Sequence, residues 1–311
     1  MLLRVYLVQQ CGRCRVGRRI IFLQHLRSVV DDSYTTMQLS NLTETLRMLV
    51  TANHILHQHN AVDGFGHISV RHPQNASLYI MSGYLAPALV STADDLIEYN
   101  VEGSMPVDPN AGKGYSERFI HGEMYKRWTG VNCVVHSHAE AVLPYVASDV
   151  PLLPMYHMAG FQGSEALPVW DITPLYEEEP EHQQDMLVNE ARFGEGLADS
   201  FAGPFSNDSD STSPAHTVVL MKRHGCATWG PDIPTAVDRT LYTLTNAGVQ
   251  TNAMAVQAAA RAAGLVQNAT IEGLGKRQAD DCRKMNEGTQ DKAWQLWERE
   301  VEVNALYQNK V

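Results

Sequence analysis

The residues best suited to chemistry lie in Val134-Val135-His136-Ser137-His138. Val131, Cys133, Val134 and Val135 are β-formers that follow Thr129-Gly130, which predicts a buried strand. On a strand the side chains at i and i+2 share a face, so His136 and His138 project together and Ser137 points away. Two neutral imidazoles side by side at a strand end can hold one divalent cation. The pair alone also fits two histidines hydrogen-bonded to backbone. Further candidates flank it: Glu117 and His121 upstream, and Lys222-Arg223-His224-Gly225 after a later apolar strand. Glu117 and His121 are four apart, hence on one face of the helix expected over 117–127 with Ser116 as N-cap. An acid in a first helical turn also suits the helix dipole, which is the plainer account of Glu117.

The elements that must position these groups follow from the pattern along the chain. Leu42, Leu46, Leu49 and Val50 recur at helical spacing, and the helix continues through Ala52, Ile55 and Leu56 with His54, His57 and His59 riding on it or just beyond it. These three histidines are expected to be solvated. Asp63 to Arg71 reads as a glycine-bearing turn feeding a strand, with Gly64 and Gly66 leaving backbone amides free to cradle an anion. Leu78 to Met81 is a second strand leading to Ser82-Gly83. Asp94 to Tyr99 and Val107 to Tyr115 consist mostly of turn residues. Ala141 to Val146 is expected to cover the end of the His-x-His strand, and His157 either faces the same cleft or is structural. Pro174 to Asp185 reads as an exposed acidic insertion, Val188 to Ala198 as a helix, and Asn207 to Pro214 as a polar loop. Thr217 to Met221 is a strand, Pro231 to Ala262 a strong helix, and Trp294, Trp297 and Val301 form one apolar stripe of a helical C-terminal region.

The bulk numbers narrow the class. A chain of 311 residues with 44% hydrophobic and 19% charged side chains is an ordinary globular protein with ample core. A net charge of −11 argues against nucleic acid as a partner. The charge is uneven: residues 1–30 hold six arginines and no acid, leaving 18 basic side chains against 35 acids in the rest. Residues 1–36 therefore read as a basic extension, with the flavour of a transit peptide or of a segment ahead of an internal start at Met37. Residues 37–311 read as one domain. Five scattered cysteines do not form a disulfide framework, and Cys11-Gly-Arg-Cys14 lacks a second pair. No apolar run reaches the ~18 residues of a membrane span, and the expectation is a cytoplasmic protein.

Several dispersed pieces stand in a telling order: Gly66-His67-Ile68-Ser69, Ser82-Gly83, Ser116-Glu117, His136-Ser137-His138 and His224-Gly225. Over roughly residues 40–265 they resemble the class II aldolase and adducin head-domain family. The resemblance implies an α/β fold, a three-layer α/β/α sandwich with a mainly antiparallel central sheet. It also implies a metal ion, Zn2+ or Mn2+, held by His136, His138 and His224, with Glu117 as ligand or acid–base group, and a homotetramer acting on a small molecule. Three neutral nitrogens leave positions open for substrate, which is the pattern of a catalytic site, where a cation stabilises an enolate or carbanion-like intermediate.

Sugar-phosphate aldolases of that family usually have Asn where His67 stands in the phosphate loop, which argues against a phosphorylated substrate. Gly66 to Pro73, Glu117 to His121 and His157 to Phe161 are worded more like the metal-dependent decarboxylases of hydroxylated aromatic or pyridine carboxylates. On that resemblance His121, His67 and Arg71 are candidates to hold a second carboxylate or deliver a proton to the ring, with Phe65, Tyr84, Tyr156 and Phe161 near the cleft. A retro-aldol lyase on a non-phosphorylated hydroxy-keto substrate would use the same metal and Glu117. An adducin-like binding module would be expected to have lost metal ligands, which this chain keeps.

Overall fold

The computed structural model describes residues 41–177, 179, 181–203 and 212–311. The basic extension, the Cys11–Cys14 pair and most of the polar 207–214 loop lie outside the described residues. Helix α1 covers 41–58 and buries Leu49, Ala52, Ile55 and Leu56. Strands β1 (His67–Arg71), β2 (Leu78–Ser82) and β3 (Leu96–Asn100) follow. Next come α2 (Arg118–Arg127), β4 (Cys133–Ser137), α3 (Leu143–Val146), β5 (Val169–Trp170), α4 (Thr173–Tyr176) and α5 (Ala191–Ser200). The hairpin β6 (Val218–Met221) and β7 (Gly225–Gly230) precedes the long α6 (Ile233–Ala262), then α7 (Lys276–Asn286) and α8 (Gln290–Glu302).

The seven strands form one sheet in the order β3-β2-β1-β4-β7-β6-β5. Every pair is antiparallel except β5 with β6 at one edge, so the sheet is mixed rather than purely antiparallel. Alternation of side chains divides it into two apolar faces. Ile68, Val70, Ile80, Cys133, Val135 and Leu220 pack with α1, α6 and α8. Tyr79, Met81, Val134, Val219 and Met221 pack with α2 and α5. The Trp294, Trp297 and Val301 stripe is buried in the first of these cores, against the same chain.

Two expectations change here. Residues 96–100 are an edge strand rather than turn: Ile97 and Tyr99 point into the core while Glu98 and Asn100 face out. The α2 helix begins at Arg118 with Glu117 as its N-cap, not Ser116, and the Glu117 side chain bonds none of the first-turn amides. Helix α6 starts as its sequence suggests, with the Asp232 carboxylate accepting from the Thr235 amide at 2.8 Å and Pro234 in the first turn.

Candidate metal centre

Strand β4 lies in the middle of the sheet between β1 and β7, and its end carries His136 into the face covered by α2. His138 stands one residue beyond the strand, and its Nε2 is 2.7 Å from that of His136. The turn between β6 and β7 brings His224 alongside, its Nε2 3.0 Å from that of His138. This approach depends on Gly225, because a Cβ there would collide with the Ser137 carbonyl. Ligands at 2.0–2.1 Å around one ion place their nitrogens roughly 3 Å apart, close to the separation of His138 Nε2 from each of the other two.

Glu117 completes the group. Its Oε2 lies 3.6 Å from His136 Nε2 and its Oε1 3.5 Å from His224 Nε2. One ligand atom from each of the four residues falls within 4.8 Å of all the others. Burial pushes the Glu117 carboxyl up to about 7, opposed by the Val188 amide that donates to it at 3.0 Å and aided by Asp185. Burial, then His138 and His224, hold His136 well below the ordinary histidine range, and His224 is pushed down to about 4 by burial and His138. Burial thus favours the neutral form of all three imidazoles, the form with lone pairs available. His136 Nδ1 donates to the Cys226 carbonyl at 3.2 Å, which leaves Nε2 as its free donor atom for a cation. Three neutral nitrogens, a carboxylate and a fixed tautomer fit a divalent ion.

His67 faces His136 across the β1–β4 pairing, their ring centroids 5.1 Å apart. Its Nδ1 is 2.7 Å from His121 Nε2, and its buried Nε2 has no hydrogen-bond partner among the described residues. His121 stands behind His67: its other nitrogen lies 2.6 Å from Ser69 Oγ, which in turn lies 2.7 Å from the Tyr125 hydroxyl. Arg71 is not brought to the site. Its guanidinium donates to the carbonyls of Val131, Ala76, Tyr125 and Trp128, which explains its position without a substrate carboxylate. The glycine loop is no free anion cradle either, since Asp63 Oδ1 accepts from the amides of Phe65 at 2.8 Å and Gly66 at 3.4 Å.

Of the other candidates, His157 is exposed at the start of a 3-10 turn. Phe65 and Tyr84 are exposed, and Tyr115, which packs on His67 at 4.6 Å between centroids, neighbours Tyr84. A cavity of about 520 Å³ opens beside His138, lined also by His57, His59, Asp63, Glu140 and Leu244. That size suits a small ligand.

Ser69 and Tyr125 escape sequence reasoning, yet a signal for them exists. Glu117, His121 and Tyr125 recur every four residues from the N-cap along α2, and His67, Ser69 and Arg71 every two on β1. Four helical residues rise about 6 Å and two strand residues about 6.6 Å, so the two polar rows stay in step where helix and strand pack.

Comparison with known proteins places this geometry. The family model described as Class II Aldolase and Adducin N-terminal domain matches residues 47–251. The decarboxylase tropJ of Talaromyces stipitatus is 40% identical over 264 residues, covering 85% of this chain and 96% of that protein. Among solved structures, L-fuculose 1-phosphate aldolase from Glaciozyma antarctica superposes with a TM-score of 0.62 at 18% identity, covering 88% of this chain and 94% of its own. An aldolase II superfamily protein from Pseudomonas syringae gives a TM-score of 0.59 at 19% identity, over 85% of this chain and 94% of its own. These two likenesses concern the fold.

Proposed function

The chain belongs to the class II aldolase and adducin family, and from that premise we propose that it is a metal-dependent decarboxylase of a hydroxylated aromatic or related carboxylic acid. The observation that carries this reading is the convergence of three imidazole nitrogens and one carboxylate, with the His67 ring 5.1 Å from that of His136 between centroids. His136, His138, His224 and Glu117 would hold one divalent ion, Zn2+ or Mn2+. When bound, such an ion supplies Lewis-acid polarisation of substrate oxygens. The remaining work falls to the chain. Loss of carbon dioxide breaks the ring–carboxyl bond, leaves its electron pair on the ring carbon, and requires one proton there. Glu117, when it is not a ligand, can hold and deliver that proton, since burial away from a cation makes its carboxyl basic for its type. His67 Nε2 offers a contact to a substrate oxygen.

Two further points support the substrate class. The tropJ relative is named a decarboxylase. The loop amides of Phe65 and Gly66 are occupied by the Asp63 carboxylate, an acid that would repel a phosphate. The proposal includes assembly into a homotetramer, read by light scattering. The decisive assay offers ortho-hydroxybenzoates and phosphorylated ketoses side by side to the metal-loaded protein. Release of carbon dioxide from the first is the expected result. Cleavage of a sugar phosphate with the hydroxyaromatic acids untouched would replace decarboxylation by retro-aldol cleavage.

A further inference from the structure

The row of polar groups behind the metal centre has a direction. Tyr125 OH, Ser69 Oγ, His121 and His67 form a continuous chain with contacts of 2.7, 2.6 and 2.7 Å. His121 and Ser69 are fully buried, and His67 nearly so. Among the described residues the Tyr125 hydroxyl has one hydrogen-bond partner, Ser69 Oγ. Its proton must therefore go to Ser69, because a buried O–H without an acceptor is costly. A hydroxyl has a single proton, so Ser69, accepting from Tyr125, donates its own to His121 Nδ1. A neutral imidazole has one N–H, and with Nδ1 accepting, His121 carries it on Nε2 and donates to His67 Nδ1. His67 is then left with its N–H on Nε2, the buried atom without a partner. The reverse order would strand the tyrosine proton at the far end of the row, and a Ser69 that accepts from both neighbours would strand its own, whereas this order leaves the open N–H on His67, whose ring lies 5.1 Å from that of His136 between centroids, where a ligand oxygen can accept it. Both rings are buried, which favours the neutral form that the count requires.

We propose that Tyr125 and Ser69 are positioning residues that lock His121 and His67 in one tautomer, so that His67 presents an Nε2–H donor to an oxygen of the ligand held beside the histidine–glutamate cluster. His67 is thus a donor and not a base at this point of the site. It selects an acceptor, a carboxylate or phenolate oxygen, and discriminates against a donor such as an ammonium group. Arg71 fixes the far end: its guanidinium stacks 4.9 Å from the centroid of the Tyr125 ring and donates to the Tyr125 carbonyl. The identity of the ligand rests on the decarboxylase reading; the tautomers do not.

The test is heteronuclear NMR of the metal-loaded full chain labelled with 15N-histidine, with His67→Gln and His121→Gln used for assignment. The expected pattern without substrate is Nε2–H with unprotonated Nδ1 for both His67 and His121. A proton on Nδ1 of either ring overturns the proposal. A net hydrogen bond corresponds to about a tenfold preference between the two states. Ser69→Ala should therefore bring the His121 tautomers from roughly ten to one to roughly equal populations, and Ser69→Thr should restore the single pattern. Unchanged tautomers in a folded Ser69→Ala protein would also overturn it, and if that variant does not fold, the wild-type pattern still decides. Should ortho-hydroxybenzoates prove inert while both rings show Nε2–H, the decarboxylase reading falls and this one stands. Turnover of those acids by a protein with His67 protonated on Nδ1 would keep decarboxylation and overturn the tautomer lock.

Discussion

Two parts of this molecule are rich in histidine, and only one of them has the geometry of a cation site. Helix α1 and its end carry His54, His57 and His59, each with its own partner. His54 Nε2 lies 2.6 Å from the Val90 carbonyl, His57 Nδ1 2.9 Å from the Tyr307 hydroxyl, and His59 Nε2 3.0 Å from a Glu300 carboxylate oxygen. The C-terminal segment thus ties down histidines that helical spacing alone would leave solvated. At the sheet, the Nε2 atoms of His136, His138 and His224 lie together, with the Glu117 carboxylate 3.6 and 3.5 Å from those of His136 and His224. Histidine density does not identify a site. What does is whether the nitrogens have partners of their own or converge on a shared point.

That contrast can be broken most forcefully at His138. Replacing it by Ala should remove turnover of the assigned substrate by more than roughly 1000-fold, since the Lewis acid is lost with its ligand. His54→Gln, which disturbs a buried hydrogen bond to the Val90 carbonyl away from the cavity beside His138, should leave turnover within about twofold and cost roughly 0.5–1.5 kcal/mol of stability. Comparable losses in both variants, measured by steady-state kinetics, would erase the distinction. Glu117→Gln is next in size. The side chain is nearly isosteric and makes no helix cap, so turnover should fall at least ~100-fold while the melting temperature barely moves.

Metal binding supplies a third handle of intermediate size. A divalent ion at a hundred times its dissociation constant should stabilise the wild-type protein by about 2.7 kcal/mol, and the His136→Ala variant by almost nothing. This stabilisation depends on pH with a definite sign. The folded imidazoles of His136, His138 and His224 are held below their ordinary value of 6.5 by burial. Below pH 6.5 the unfolded chain therefore binds more protons than the folded one, and the metal-free protein loses stability as pH falls from 6.5 toward 4. Calorimetry of metal-free protein across that window should show a falling melting temperature, and a rising one would contradict the assignment. The smallest effect belongs to the other histidine group. Tyr307→Phe keeps the ring stacked on His54 but removes the hydroxyl beside His57, costing roughly 0.5–1.5 kcal/mol with no change in bound metal.

The candidate metal centre is largely legible in the sequence because its signals are local. His136 and His138 follow from strand alternation, and His224 from a turn after an apolar strand. Glu117 is visible as an acid before a helix, but only the structure separates it from a helix cap. The network behind His67 is less legible, since Ser69 and Tyr125 sit 56 residues apart and meet only because α2 lies along β1. Strand β7 is hidden for a different reason. Gly225-Cys226-Ala227-Thr228-Trp229-Gly230 contains poor strand formers, but all six are buried between β4 and β6, where close backbone approach outweighs propensity. Arg71 misleads in the opposite way: its charge suggests a ligand, and its four carbonyl partners give it a structural post.

The central claim is that one divalent ion sits among His136, His138, His224 and Glu117, and elemental analysis of the purified protein tests it most directly. Wild type and the His57→Ala, His59→Ala double variant should each carry one ion per chain. The His136→Ala, His138→Ala, His224→Ala triple variant, folded by circular dichroism, should carry none. One ion per chain in the triple variant would contradict the account.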